Sequence, residues 1–302
     1  MEEVNVKIGF LIEKLRKEQM LTQVQLAKEI MSKNTLSFIE TGRTKISLPQ
    51  LLLLLDKLNI TFFEFVALLP PDVTENKKKK YISDRLHKVY YSKEKDFEVL
   101  INELDFYCLT SDDIYYKLFY HQARLLADME KKIILTSAER SEIKGLFQNY
   151  LGRCDEWHSV QWTLFINCMY IFDSEFIYLN LKKGLHKLNP SKSKRADKYF
   201  KDYFQALLSN GMFLLLKRQN MKLAKNMLFE LKNQKLSYHE FYLKIMINFF
   251  EGIIQHLETN VRSEYIESTF QIFMIAKEYQ QADALKNFLH RMNIYDYDSL
   301  SK

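Results

Sequence analysis

Turn-forming residues are scarce in this chain, whose 302 residues include only 7 glycines and 4 prolines. Three of the four prolines, Pro49, Pro70 and Pro71, lie in the first 71 residues, so the remainder is almost free of them. Strand-and-turn architectures need more of these residues at their turns. The composition therefore predicts an all-α fold, and the length leaves room for two or three domains with sizeable cores.

Cysteine is also rare, and Cys108, Cys154 and Cys168 are too few and too scattered for a disulfide framework or a zinc site. The 7 histidines show no metal-ligand spacing, and the chain has no glycine-rich phosphate loop and no nucleophile–base pair. We therefore expect no enzyme activity, no metal and no cofactor. We expect the protein to lie in the reducing cytoplasm, because the sequence has no apolar signal core and no apolar run approaches the ~20 residues that span a membrane.

The segment from Leu21 to Leu58 has the layout of a helix-turn-helix domain. Thr22 and Gln25 have the spacing of a capping box, and Ser32 is a second N-cap residue. Glu40 ends the second helix, and Gly42 stands where a helix C-terminus favours a left-handed residue. The predicted inward-facing side chains are Val24, Leu26, Ala27 and Ile30 on the first helix, and Leu36 and Ile39 on the second.

In such a domain the second helix enters the major groove, and its N-terminal turn meets the base edges. Lysine donates to guanine, asparagine pairs with adenine, and an aromatic edge packs on a thymine methyl. The expected base-reading residues are Lys33, Asn34, Ser37 and Phe38. The expected phosphate contacts, which set the register, are Gln23, Arg43, Thr44 and Lys45. The alternative is that Lys33 and Asn34 are ordinary solvated residues of a small helical domain.

The charge of the N-terminal region is too small to hold DNA by itself. The whole chain carries +6, but residues 1–69 hold nine Lys or Arg and eight Asp or Glu, a net of 9 − 8 = +1. One such domain is expected to bind DNA weakly. We therefore expect a homodimer whose two domains read the two half-sites of a promoter operator.

A polar linker and a long helical region follow this domain. We assign residues 1–69 to the DNA-binding domain, 70–80 to the linker and 81–302 to a TPR-like α-solenoid. The four lysines at 77–80 are interpreted as a solvated connector, or alternatively as phosphate contacts. Amphipathic segments with short polar joints favour paired helices. They span 97–109, 114–128, 141–151, 159–172, 174–188, 196–217, 221–231, 237–257, 264–277 and 282–292.

Several motifs carry a family resemblance. The segment from Leu21 to Leu58 resembles the phage-repressor (XRE-type) helix-turn-helix in its TQVQLA, its Ser-capped second helix and its I-E-x-G-R. In that family an Arg ahead of the motif pairs with the Glu that ends the second helix, which implies a pair between Arg16 and Glu40 here. The turn between Ala27 and Ser32 is one residue shorter than in phage repressors. The shorter turn resembles that of Rgg/MutR-type regulators of the RNPP superfamily. The same resemblance is carried by SKNTLSFIETGRTKIS, LLDKLNIT, FFEF and the later WTLFINCMYIF. The resemblance implies C-terminal helical repeats that bind a short signalling peptide.

Three asparagines inside apolar helices are the candidate peptide contacts: Asn167, Asn210 and Asn248. An Asn side chain offers a donor and an acceptor to a peptide backbone, and the resemblance implies this role. The alternative is that each one caps or bridges neighbouring helices inside the core. Arg124 is a fourth candidate, for an acidic residue or the C-terminal carboxylate of a ligand, with a structural ion pair as its alternative.

These observations predict a cytoplasmic transcription regulator that binds double-stranded DNA and senses a short, apolar peptide, as in quorum sensing. A second hypothesis keeps the DNA-binding domain but gives the solenoid a folded protein partner instead of a free peptide. Neither hypothesis involves a membrane. The operator sequence, the peptide and the direction of regulation stay open at this point.

Overall fold

A computed structural model describes residues 2–70, 73, 75–91, 96–188, 198–236, 240–294 and 297. Every element in these ranges is a helix, which confirms the predicted all-α class. The chain divides into two compact units, Met1–Phe119 and Tyr120–Lys302. This division falls later in the chain than the predicted boundaries after residues 69 and 80, which stay a prediction.

The first five helices form the N-terminal bundle, and hydroxyl side chains begin four of them. Thr22, Ser32, Ser47 and Thr61 each accept a hydrogen bond from a backbone N–H in the first turn of the helix that follows. A single cluster of buried apolar side chains joins these helices. Their bounds are α1 (Glu2–Glu18), α2 (Gln23–Ala27), α3 (Lys33–Glu40), α4 (Leu48–Leu58) and α5 (Phe62–Leu68).

The predicted inward face of the two motif helices is mostly confirmed. Leu26, Leu36 and Ile39 are at most 1% exposed and Ala27 is 2% exposed, but Val24 is 59% exposed. The prediction was wrong for Val24 because α2 is a single short turn. Val24 stands two residues before the buried Leu26, so its side chain lies on the opposite side of the helix and faces outward.

Two glycines set the position of α3. A Cβ on Gly9 of α1 would lie 2.0 Å from the carbonyl oxygen of Ile39, so the backbones of α1 and α3 approach closely. Gly42 has a φ of +74° and follows the end of α3, as predicted, and a Cβ there would meet Val6. Both positions therefore need glycine to hold α3 against α1.

Residues 75–80, which the sequence assigned to a linker, instead begin a helix. The helices α6 (Glu75–Tyr91) and α7 (Phe97–Thr110) belong to the first unit, together with the start of α8 (Ile114–Met129). Lys78 lies over the ring of Tyr107, 4.1 Å from its centroid. Lys79 pairs with Asp113, and the Tyr115 hydroxyl donates to the Lys79 carbonyl at 2.6 Å. Lys78 and Lys79 are therefore packed against aromatic rings and an acid rather than forming a solvated connector.

The second unit is built from helices in two alternating layers. In one layer α10 contacts α12 and α12 contacts α14, while in the other α11 contacts α13. The short 3-10 helix Met169–Ile171 follows α10. The helices of this unit beyond α8 are α9 (Ser137–Gly152), α10 (Ser159–Cys168), α11 (Ser174–Lys187), α12 (Lys198–Lys217), α13 (Met221–Lys232), α14 (Phe241–Thr259), α15 (Glu264–Ile275) and α16 (Tyr279–Arg291).

The ten predicted amphipathic segments correspond to α7–α16, most with ends within a few residues of the observed bounds. At α9 the observed helix begins at Ser137 rather than at 141, because Thr136 and Glu139 form a capping box there. The predicted helix starts at 196 and 237, and linker residues 71, 72 and 74, lie outside the described residues. Within the described ranges no helix is long and apolar enough to cross a bilayer.

Candidate DNA interface and ligand-binding face

A buried ion pair connects the first three helices. Arg16 of α1 donates from Nε to Glu40 Oε1 at 2.6 Å and from Nη2 to Oε2 at 2.9 Å. Its Nη1 donates to the Leu21 carbonyl at 2.9 Å, and Gln23 Nε2 of α2 donates to Glu40 Oε2 at 2.7 Å. The side chains of Arg16 and Glu40 are 9% and 2% exposed. The hydrogen bond to Glu40 raises the pKa of Arg16. The pair that the resemblance implied is present, and it fixes α3 relative to α1 and α2.

The outer side of α3 presents most of the predicted base-reading residues. Lys33 and Asn34 in the first turn are exposed, Phe38 is 47% exposed, and Ser37 is half-buried. Ser32 caps this turn by accepting from the Thr35 backbone N–H at 3.1 Å, which orients the two exposed residues. Lysine and asparagine at the start of a helix have the reach and donors to meet base edges in a major groove.

The flanking residues divide into two groups. Arg43, Thr44 and Lys45, just after α3, are exposed. Gln23 is half-buried, and its amide donates to Glu40, so it serves the buried network rather than standing free for a phosphate. From residue 30 to residue 55 the only acid in the sequence is Glu40, which is buried against Arg16. The exposed charged side chains within residues 30–55 are therefore all basic, although Glu29 just before this stretch is exposed and residues 1–69 carry only 9 − 8 = +1.

The three candidate asparagines are on the surface and not in the core. Asn167 of α10, Asn210 of α12 and Asn248 of α14 are all exposed, although their sequence neighbours are largely buried. The alternative in which each one bridges helices inside the core is therefore wrong. Their amide groups face solvent and need no protein partner.

A hydrogen bond joins the surfaces that carry two of these asparagines. Thr163 Oγ1 of α10 and Tyr203 Oη of α12 are 3.2 Å apart. Thr163 lies one turn before Asn167, and Tyr203 lies two turns before Asn210, so each pair shares a side of its helix. We call Thr163, Asn167, Tyr203 and Asn210 the α10–α12 face. The sequence drew no attention to Thr163 or Tyr203, although their helical spacing from the asparagines was a usable signal.

Asn248 lies on a different side of α14. Three residues after it, Glu251 pairs with Lys232 of α13 at 2.7 Å, and four residues after it, Gly252 packs closely on Ile266 of α15. Asn248 is therefore exposed between α13 and α15. The ring of Phe250, on the far side of α14, packs on Phe213 of α12. This arrangement does not bring Asn248 to the α10–α12 face.

Arg124 of α8 has an acidic partner within the protein. Its Nη2 donates to Glu139 Oε1 of α9 at 2.5 Å, and its guanidinium lies 5.6 Å from the centroid of the Tyr120 ring. Glu139 Oε2 in turn accepts from the backbone N–H of Thr136 at 2.8 Å. The structural ion pair is therefore formed, and it ties α8 to the start of α9.

These bonds hold the pKa of Glu139 near 2, chiefly through the backbone N–H of Thr136. Because that pKa lies below its unfolded value of 4.5, the stabilisation is complete above about pH 5 and is lost as the pH falls toward 2. We expect Glu139→Gln to lower the urea midpoint at pH 7 and to have a much smaller effect at pH 3, followed by tryptophan emission. An equal loss at both pH values would contradict this assignment.

The described residues hold no group of three or more His, Cys, Asp or Glu side chains able to bind a metal ion. Burial raises the pKa of the thiols of Cys108 and Cys168. These two cysteines are therefore protonated near neutral pH and poor nucleophiles.

Comparison with protein families gives two matches. The model described as "HTH-type transcriptional regulator Rgg, C-terminal domain" matches residues 125–287, which is more than half of the chain. A helix-turn-helix model matches residues 12–65, which contain α2, α3 and the buried ion pair. No functionally curated protein matches the sequence.

Solved structures share the fold over almost the whole chain. The Rgg2 SHP pheromone receptor of Streptococcus dysgalactiae is 20% identical with a TM-score of 0.69, and the alignment covers 95% of this chain and 99% of that one. PrgX in a PrgX/cCF10 complex is 20% identical with a TM-score of 0.70, covering 95% and 92%. At these identities the likeness establishes the fold, an N-terminal helix-turn-helix followed by helical repeats.

Proposed function

Because the chain belongs to the Rgg family of helix-turn-helix transcriptional regulators, we propose that it links DNA binding to a peptide signal. In this proposal the protein is cytoplasmic and forms a homodimer whose two N-terminal domains read two operator half-sites. Its helical repeats bind a short, apolar signalling peptide, which changes the affinity or pose of the DNA-binding domains. The fold is shared with a pheromone receptor and with a PrgX/cCF10 complex, which supports the peptide as ligand class.

The exposed first turn of α3 supports the DNA-reading role. Lys33 and Asn34 make no ion pair among the described residues, and Glu40, the one acid of α3, is buried. Two such surfaces are needed because one domain carries a net charge of only 9 − 8 = +1. A dimer reading half-sites about one helical turn of DNA apart, roughly 34–36 Å, would double the contacts.

The observation that carries the peptide-binding role is the contact between Thr163 and Tyr203. It holds Asn167 and Asn210 on one surface, with their amides exposed. Packed helix axes lie about 8–10 Å apart, a distance that roughly three extended residues span. Both amides could therefore pair with the backbone of one bound peptide. Half-buried Phe213 and Leu214 lie about one turn after Asn210 and favour apolar ligand side chains.

A ligand regulates DNA binding only if it binds the two arrangements of the dimer with different affinity. A preference of about 100-fold corresponds to roughly 2.7 kcal/mol of coupling between the two sites. The coupling is reciprocal, so operator DNA should change the peptide affinity by the same factor.

We expect the double substitution Asn167→Ala and Asn210→Ala to remove the response to peptide while leaving operator binding intact. The reason is that the peptide backbone loses two donor–acceptor partners, about 1–3 kcal/mol each where the bond is buried by the ligand. The measurement is a gel shift on the DNA flanking the gene, with and without the small-peptide fraction of spent culture medium.

Asn248→Ala is the matched control, because it removes the same exposed amide from a surface that the ligand would not touch. A double variant that keeps the full response, or a control that loses it equally, would exclude the α10–α12 face as the peptide site. If the gel shift of the wild-type protein is the same with and without the peptide fraction, a folded protein is favoured as the partner of the helical repeats.

A further inference from the structure

A cavity of about 300 Å³ lies in the second unit where the end of α9, the joint before α10 and one side of α11 meet. Its volume is at the lower end of the range for small-molecule sites. Phe176, Asn180 and Lys183 of α11 line it together with Leu151, Asp155 and Trp157. On α11 the side that packs on α12 is different and carries Leu181 and Gly184. The cavity is therefore separate from the α10–α12 face.

The apolar wall of this cavity is rigid. The indole Nε1–H of Trp157 donates to the Leu151 carbonyl at 3.1 Å. Its ring contacts Trp162 and Phe165, with centroids 4.7 and 5.4 Å away. Trp157 is 8% exposed, whereas Phe176 is half-buried and shows part of its ring to the cavity. A flat or branched apolar group entering here would meet a preformed aromatic surface.

The cation beside that wall makes no salt bridge with a described residue, although the negative charges of Asp155 and Glu156 lie close enough to oppose the lowering of its pKa. Lys183 Nζ lies 4.4 Å from the centroid of the Trp157 ring, and no salt bridge joins Lys183 to any described carboxylate. Burial, and after it the charge of Lys187, lower the pKa of Lys183. Lys187 is itself paired with Glu156 at 2.6 Å. A partly buried ammonium group that makes no salt bridge gains stability when an anion pairs with it directly.

Asn180 adds a neutral hydrogen-bonding group between the cation and the aromatic wall. Its Nδ2 donates to the Phe176 carbonyl at 2.9 Å, which orients its side chain. A cation, an amide and two aromatic rings thus line one small cavity, together with the carboxylate of Asp155. We propose that this cavity, the Trp157 pocket, binds a small molecule that carries a carboxylate on an aromatic or branched apolar body. The carboxylate pairs with Lys183, and the apolar body packs between Trp157 and Phe176.

The two tryptophans of the chain report on this pocket directly, because Trp157 lines it and Trp162 touches Trp157. The probe is 3-phenylpropionate, added to the full-length protein while tryptophan emission is recorded. We expect a saturable change with half-saturation on the order of 1 mM or below, as suits a small ligand in a small cavity. The neutral amide of the same acid should bind at least tenfold more weakly, since it cannot form the ion pair.

Two adjacent lysines of α11 give a matched pair of variants. Lys183→Met should weaken phenylpropionate binding at least tenfold and leave the weak binding of the amide unchanged. Lys183→Arg, which keeps the positive charge, should keep much of the affinity for phenylpropionate. Lys182→Met should have no effect, because Lys182 pairs with Glu230 of α13 at 3.3 Å and does not line the cavity. A tripeptide ending in phenylalanine tests whether the carboxylate belongs to a free acid or to a peptide terminus.

The proposal is overturned if emission shows no saturable change up to about 10 mM, if acid and amide bind equally, or if Lys183→Met keeps full affinity for the acid. The test needs neither DNA nor the signalling peptide. Its failure would therefore leave the proposed regulatory function untouched.

Discussion

Replacing Lys33 and Asn34 together by alanine is expected to abolish sequence-specific DNA binding and to leave the helix content unchanged. Both side chains are exposed in the first turn of α3 and make no contribution to the core. A well-formed side chain–base pair is worth about 1–3 kcal/mol, so two of them account for about 2–6 kcal/mol per domain. The loss should be at least about thirtyfold for one domain and about a thousandfold for a dimer on two half-sites.

The measurement is a titration of labelled operator DNA at fixed salt, against competitor DNA of unrelated sequence. The matched control is Lys14→Ala with Gln19→Ala, which removes the same charge and a similar amide from exposed positions of α1 and the joint after it. We expect that control to change affinity for all sequences slightly and equally. Specific binding that survives in the first variant would mean that α3 is not the recognition helix.

Replacing Arg16 by methionine is expected to destabilise the N-terminal bundle by about 3–5 kcal/mol. The substitution leaves Glu40, whose side chain is 2% exposed, without its cation and with Gln23 as its remaining side-chain partner. An unpaired buried carboxylate is costly because it has lost its hydration and its ion pair together. The Leu21 carbonyl also loses its donor.

Hydrogen exchange of the α3 amides measures this effect locally, because both tryptophans lie in the other unit. Where exchange occurs through unfolding, it should speed up by roughly a hundredfold to several thousandfold. The control is Arg16→Met with Glu40→Leu, which removes both charges and should recover much of the protection. A single variant as well protected as wild type would show that the pair is not needed to hold α3.

The local features of the helix-turn-helix could be read from the sequence because they are set by residues close together in the chain. Thr22, Ser32 and Gly42 act on the backbone within one turn, and each is found in the predicted role. The family resemblance added the long-range Arg16–Glu40 pair, which spacing alone would not have identified. The error at Val24 arose where a five-residue helix has too few turns for its apolar pattern to define an inward face.

In the second unit the sequence located the helices but not their exposed sides. Asn167, Asn210 and Asn248 sit in similar apolar surroundings in the sequence, so they were grouped together. The packing separates them, because Asn248 is exposed between α13 and α15 while the other two share a face marked by Thr163 and Tyr203. The apolar periodicity of a sequence predicts which face of a helix is buried. It does not predict which neighbouring helix covers that face.

By itself the sequence determined the all-α class, the position of α3 and the residues that cap it, since these depend on local backbone preferences. Only the tertiary structure decided that Gln23 belongs to a buried network, that Lys78 and Lys79 pack on α7 and α8, and that Arg124 is already paired. It also formed the Trp157 pocket from residues of two separate segments, 151–157 and 176–183. Each of these depends on which charged or polar groups meet across helices, and that is fixed by packing between residues distant in the chain.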